Sequence, residues 1–285
     1  MKKSYKVYTA LAFILLYAPL LIMVFFSFNS TESTGVFTGF SLKWYKSLFA
    51  DSDGSIRSAL TYSITLAVLS SVIATFVGTL AALGLAKFKK KYTKSAVITV
   101  TNIPMVNPEI VTAVSLVLLF SAVFTIFGIK INDFASLLIA HITFNLPYVI
   151  LSVMPRVRQM DPSLTEAAMD LGCTPAKAFF KIELPQIIPG IFSGLIMAFT
   201  MSFDDFVISH FTSGTIETLP LKIYSMTGKG SVTPDMYALS TFMMIAIFAM
   251  LLLSNIVQGK DEREKAKAMR ALKKARMAAK GGSAK

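Results

Sequence analysis

The stretch Thr165–Gly190, TEAAMDLGCTPAKAFFKIELPQIIPG, sets acidic, basic and small residues between long apolar runs. Capping rules divide it into two helices. Asp161 followed by Pro162 starts the first through an N-cap and a proline at the first helical position, while Ser163 and Glu166 offer a second start at capping-box spacing, S-x-x-E. Gly172 supplies the left-handed residue that ends this helix. Thr174 and Pro175 then begin another helix, which should stop before Pro185. The reading is a compact helical hairpin whose Ala167, Ala168 and Ala176 let another protein come close.

Everything around the hairpin is made for lipid. The 285 residues are 54% hydrophobic and 15% charged, with a mean hydropathy of +0.63, far from a soluble domain's balance. Apolar stretches near the ~20 residues needed to cross a bilayer run over Tyr8–Phe28, Leu60–Ala86, Pro108–Phe127, Phe134–Met154, Ile187–Ile208 and Met236–Val257. The fold class is therefore an all-α membrane protein of six spans. Residues 1–7 precede a transmembrane domain over 8–257, and a basic tail, 258–285, follows it. The first apolar stretch is too long for a signal peptide and lacks an A-x-A-like site, so it reads as a retained span.

The formal charge of +12 raises the question of nucleic acid, and its placement excludes that partner. Of the 28 Lys and Arg, 22 lie in the two termini, Lys87–Lys94 and Arg156–Lys181, against 6 in the alternate loops. By the positive-inside rule both termini and the hairpin loop, about 156–186, are cytoplasmic. The tail is a frayed helix or disordered, and helps to fix orientation. Cys173 is the only cysteine, which rules out an intramolecular disulfide, and neither His141 nor His210 sits in a metal-ligand pattern, so no metal is expected. Gly228–Ser231, GKGS, lacks the phosphate-loop pattern. Trp44 beside Tyr45 reads as an interfacial belt contact.

Three further features organise the spans. Ala67, Ser71, Ala74, Gly78, Ala82 and Ala86 form a stripe of small residues that makes the second span central, either within the chain or at a seam with another subunit. The 33 residues from Ser95 to Phe127 would make ~50 Å of helix, too long for one upright span, so a break is expected at Pro104–Pro108. Asn107 is the expected N-cap there, with Pro108 first and Glu109 in the first turn.

Ionisable groups within spans are costly and face a cavity or a partner. Glu109, Asp204 and Asp205 are the carboxylates in that position. With the fifth span continued as one helix, Asp205 shares a small, polar face with Ala198, Ser202 and Ser209, whereas Asp204 points between that face and the phenylalanine face and is expected to serve a helix end or a structural partner. Phe199, Phe203 and Phe206 form a packing or lipid-facing stripe. A substrate path would therefore use Asp205 foremost, with Asp204, Ser202 and Glu109 beside it.

Glu166, Ala167, Ala168, three residues, Gly172, nine residues, then Ile182, Leu184 and Pro185 make E-A-A-x3-G-x9-I-x-L-P. This resembles the EAA loop of ABC importer permeases of the MetI-like family, with Cys173 where alanine is common. HITFNLPYVI, SFDDFVISHFTSG, TLPLKIYSM and GSVTPDMYALST are similar, in order, to segments of spermidine/putrescine permeases of the PotC type, over roughly Tyr8–Val257. The resemblance implies a type I permease fold in a bacterial plasma membrane, with the hairpin as coupling helix in a cleft of a separate ATPase and Glu166 and Gly172 at the centre of the dock. It also implies a homologous second permease, an ATP-binding subunit dimer and an extracytoplasmic polyamine-binding protein. No catalytic residue and no cofactor are then expected in this chain. The alternatives are an ABC permease for another small substrate, or a proton-coupled secondary transporter with Asp204 or Asp205 as relay. A membrane-embedded enzyme would need a nucleophile, base or metal cluster that the spans lack.

Overall fold

The computed structural model describes residues 2–32, 35–50, 54–88, 90–227, 233–253 and 255–256; the 228–231 stretch and the basic tail lie outside them. α1 (Lys2–Phe26), the short α2 (Lys43–Ala50), α3 (Ser55–Lys87), α4 (Lys91–Val106), α5 (Glu109–Phe127) and α6 (Asp133–Gln159) lead to the hairpin, α7 (Pro162–Asp170) and α8 (Pro175–Ala178). α9 (Leu184–Phe203), α10 (Val207–Thr212), α11 (Leu219–Thr227) and α12 (Pro234–Leu253) follow. Among the described residues six helical stretches are long and apolar enough to cross a membrane: α1 from Val7, α3, α5, α6, the run Pro175–Phe203 and α12.

The core is built on α3, α6 and α9. Apolar side chains gain nothing by leaving lipid for one another, so these helices associate by close packing of small residues. Ala67, Ala74 and Ala82 of the small stripe are fully buried and Ala86 sits at its rim, which makes the stripe a seam inside this chain. Gly190 shows how tight the approach is. A Cβ there would stand 2.7 Å from Arg156 Cγ and 3.1 Å from the Ser152 carbonyl oxygen, so only glycine lets α9 lie this near α6. α1 stands apart, with no buried residue over Val7–Phe26, and its apolar surface is covered only when a bilayer or another helix surrounds it.

Four expectations about local structure change. The break between α4 and α5 occurs one position later than the cap rules place it. Asn107, forced extended by the following proline, closes α4 with ψ 143°, and Pro108 itself is extended at ψ 134°, leaving Glu109 as the first helical residue. Pro104 is absorbed in the last turns of α4. Trp44 is buried instead of lying in an interfacial belt, because its indole N–H donates to the Asn29 carbonyl at 2.6 Å. The helix begun at Pro175 does not stop before Pro185. It widens into a π-type turn over Phe179–Glu183, where Leu184 N–H donates to the Phe179 carbonyl five residues back, and then runs on as α9. The wide turn makes room for a proline that an α-turn would exclude. Finally, the fifth span ends at Phe203, not Ile208, with Asp204 at φ −97° and ψ 0°.

Candidate functional site

The hairpin is assembled from local hydrogen bonds. Asp161 Oδ1 caps α7, accepting from the Ser163 N–H at 3.0 Å and from its hydroxyl at 2.8 Å, so Asp161 and not Ser163 starts the helix. Those two bonds hold the exposed Asp161 carboxyl below its usual range. α7 ends in a Schellman motif: Cys173 N–H donates to the Ala168 carbonyl at 3.0 Å and Gly172 N–H to the Met169 carbonyl at 2.9 Å. Gly172 takes φ +86°, as the turn requires. Thr174 Oγ1 then accepts from the Lys177 N–H and caps α8.

The two short helices close on each other through Ala168 and Ala178, both buried. Ala168 is thus part of the hairpin's own seam rather than an approach surface, while Glu166, Ala167, Gly172 and Ala176 are exposed. Leu164, Met169, Leu171 and Phe180 are exposed apolar residues on the same hairpin, Leu171 at 87% beside Gly172. Ile182 and Leu184 are half-buried, and Leu184 packs on the cluster of Val149, Val153 and Ile187. Pro185 is exposed in the first turn of α9. The hairpin is therefore joined to the core by one continuous helical run from Pro175 to Phe203.

The second site lies at the far end of that run, where α9 gives way to α10. On α6, His141 is eight residues in from Asp133, ~12 Å at 1.5 Å per residue, so this level falls in the half of the bundle away from the hairpin. Asp205 caps α10, its Oδ2 accepting from the Ser209 N–H at 2.7 Å and its Oδ1 from the Ile208 N–H at 3.3 Å. Fully buried His141 lies against the same groups, Nε2 being 3.1 Å from Ser209 Oγ and 3.5 Å from Asp205 Oδ2. Its Nδ1 is 2.7 Å from Ser202 Oγ, which is 2.9 Å from Ser70 Oγ on α3.

The sequence-derived roles of the two aspartates change with the helix break. Asp205 and Ser202 do share a polar face, but both are buried in the interior of the bundle, at 7% and 3% exposure. Asp204, turned aside by the break, is the exposed carboxylate of the pair. Glu109 lines an open cleft of about 480 Å3 with Phe206, His210 and Tyr224. Phe206 has left the Phe199–Phe203 stack and packs on Tyr224 at 4.8 Å and on His210 at 5.4 Å between ring centroids. Among the described residues neither Glu109 nor Asp204 has an ion-pair partner. His141 is the residue that sequence reasoning passed over; a histidine inside an apolar span is itself an intramembrane ionisable group, and that was the signal.

Six apolar helices, an exposed hairpin and a carboxylate-bearing helix break define a membrane-embedded helical protein rather than an isolated soluble fold. The chain belongs to the family of binding-protein-dependent transport system inner membrane components, whose model matches residues 74–260. It is 39% identical over 239 residues to the putrescine transport system permease protein PotI of Escherichia coli (strain K12), covering 83% of this chain and 84% of the relative. It is 40% identical over 247 residues to the spermidine/putrescine transport system permease protein PotC of Haemophilus influenzae (strain Rd), covering 86% and 93%. A bacterial ABC transporter that imports alginate has the same fold at TM-score 0.68 and 17% identity, covering 91% of this chain and 96% of that one. The methionine ABC transporter MetNI, in an inward-facing form, matches at TM-score 0.57 and 16% identity, covering 72% and 95%. The fold is that of ABC importer permeases.

Proposed function

We propose that this chain is the permease subunit of an ATP-driven importer of polyamines, putrescine and spermidine among them. It lies in the plasma membrane with both termini and the hairpin on the cytoplasmic side. The hairpin docks in a separate ATPase dimer, a second homologous permease completes the path, and an extracytoplasmic binding protein delivers substrate. The catalytic work of ATP hydrolysis belongs to the partner.

The observation that carries the substrate class is the cleft, where Glu109 stands beside the rings of Phe206, His210 and Tyr224, with the exposed carboxylate of Asp204 two residues from Phe206; neither carboxylate has an ion-pair partner among the described residues. Like charges that share a site raise each other's cost. A flexible chain carrying several ammonium groups relieves both carboxylates at once, and its cationic ends also gain from aromatic faces. The relatives named for putrescine and spermidine support the same class. Ser202 and Asp205 shape this path from behind, whereas Asp204 and Glu109 meet the cation.

The test is uptake of radiolabelled putrescine and spermidine into proteoliposomes holding the whole complex, with the binding protein outside and ATP within. Uptake that needs ATP and both partners is expected. Uptake that survives without ATP but collapses with the proton gradient would overturn the reading in favour of a secondary transporter.

A further inference from the structure

The α9–α10 break is held by a side chain from another helix. Asp204, Asp205 and Phe206 form the joint between Phe203 and Val207, with Asp204 at φ −97° and ψ 0°. A three-residue joint alone leaves the angle between its flanking helices free. Here one imidazole reaches both sides of it. His141 Nδ1 lies 2.7 Å from Ser202 Oγ in the last turn of α9, and Nε2 lies 3.1 Å from Ser209 Oγ in the first turn of α10.

Donor and acceptor arithmetic orders the chain. An ionised Asp205 only accepts, so protons must point toward it: Ser209 Oγ–H donates to the carboxylate and His141 Nε2–H donates to the Ser209–Asp205 pair. A neutral imidazole with its proton on Nε2 accepts at Nδ1 from Ser202 Oγ–H, and Ser202 Oγ in turn accepts from Ser70 Oγ–H. With the Ser70 hydrogen on its 2.9 Å contact to Ser202 rather than its 3.4 Å contact to the Ala67 carbonyl, all the dipoles run the same way, ending on the charge. In a low-dielectric interior such a chain is strengthened along its length, and its members are costly to leave unpaired. The chain also ties α3 to the joint, so that three elements around α6 share one hub.

We propose that His141 is a positioning residue: it clasps the end of α9 to the start of α10 and so sets the direction in which the exposed Asp204 projects from the break. This inference rests on the reading of Asp204 as a carboxylate of the cation path. His141 itself is fully buried and does not line the cleft. Its effect on transport therefore passes through Asp204.

The experiment compares His141→Leu, His141→Gln, Asp204→Asn and the double variant His141→Leu with Asp204→Asn, in assembled complexes matched for ATPase content, by concentration-dependent uptake of radiolabelled putrescine. His141→Leu should raise the half-saturating concentration about tenfold, the size expected for losing a hydrogen bond in a charged network. His141→Gln, whose amide offers one acceptor and one donor, should recover most of that loss. The double variant should be no worse than Asp204→Asn alone, since one effect acts through the other. A merely structural histidine would lower the amount of complex or the maximal rate and leave half-saturation unchanged; that result overturns the clasp. Additive losses in the double variant overturn it as well. If Asp204→Asn transports like the parent, the cation-path reading fails first, and a loss confined to His141→Leu marks that case apart. Should His141→Leu not reach the membrane, Ser209→Ala removes one arm of the clasp, and the same shift in half-saturation or its absence decides.

Discussion

At the hairpin, the hydrogen bonds that set the chain's direction join residues at most five apart: Asp161 with Ser163, Ala168 with Cys173, Thr174 with Lys177. At the α9–α10 break the partners are 61, 68 and 132 residues apart, from two other stretches of chain, α6 and α3. The two regions are joined by a single helical run, Pro175–Phe203. A unit built from local bonds keeps its shape while its surroundings move, so the hairpin can be pushed as a body. A joint built from distant bonds exists only while α3, α6, α9 and α10 keep one arrangement, so it registers that arrangement. The difference fits the proposed function, with the input of motion at one end and its readout at Asp204 at the other.

The sharpest way to break this contrast is to destroy the local unit at one residue. Gly172 sits at φ +86°, where a side chain costs roughly 1–2 kcal/mol and a β-branched one more. Gly172→Val should leave the permease in the membrane but abolish retention of the ATPase on co-purification, with uptake down more than about tenfold. Gly172→Asn, which tolerates the left-handed region, should retain most of both. Full retention by the valine variant would mean that the dock does not depend on the Schellman turn.

The next effect separates the two aspartates. Asp204→Asn should raise the half-saturating polyamine concentration about tenfold in complexes of normal abundance, because an exposed charge facing the cation is lost and no internal bond is. Asp205→Asn weakens the cap of α10 and the contact to His141, and should instead lower the yield of assembled complex and its melting temperature in detergent. If the phenotypes are exchanged, the buried carboxylate is the one that meets substrate and the break has been misread. Between the two regions, Gly190→Ala should destabilise the bundle by about 1–3 kcal/mol, since the Ser152 carbonyl must shift to admit a methyl group. Thermal unfolding of the purified complex measures it, and an unchanged transition would mean that α6 and α9 separate freely there.

The same division explains what could be read from the residues alone. Asp161–Pro162, Gly172 and Thr174–Pro175 carry their own chemistry, and each stands where capping rules put it. The spans were legible because a bilayer imposes length and composition. The stop before Pro185 was not, because a π-type turn can host a proline and nothing local announces one. The end of α9 was hidden for a different reason. SFDDFVIS has no glycine or proline to break a helix, and the break at Asp204–Asp205 is stabilised by His141 and Ser70, whose proximity no sequence spacing reports. Treating that segment as one continuous helix kept Asp205 on the polar face with Ser202 but hid that Asp205 is buried and Asp204 exposed.

The smallest expected effect concerns the cap that opens the hairpin. Asp161 is fully exposed, and its carboxylate is favoured by the two bonds from Ser163. A carboxyl group whose folded-state pKa is depressed adds stability that is present above its unfolded value, about 3.9, and is lost as pH falls through the folded value. At neutral pH the cap is fully in force. Asp161→Ala should then speed amide hydrogen exchange at Ser163 and Leu164 while lowering uptake less than about twofold, since a cap is a small part of a helix that tertiary contacts also hold. Asp161→Asn keeps an N-cap acceptor without a titrating charge, so it should match the parent's exchange at neutral pH and lose the acid dependence. If Asp161→Ala instead abolishes ATPase retention as Gly172→Val does, the hairpin is poised at the edge of folding and its shape is supplied by the partner, which would undo the contrast between a prefabricated input and an assembled readout.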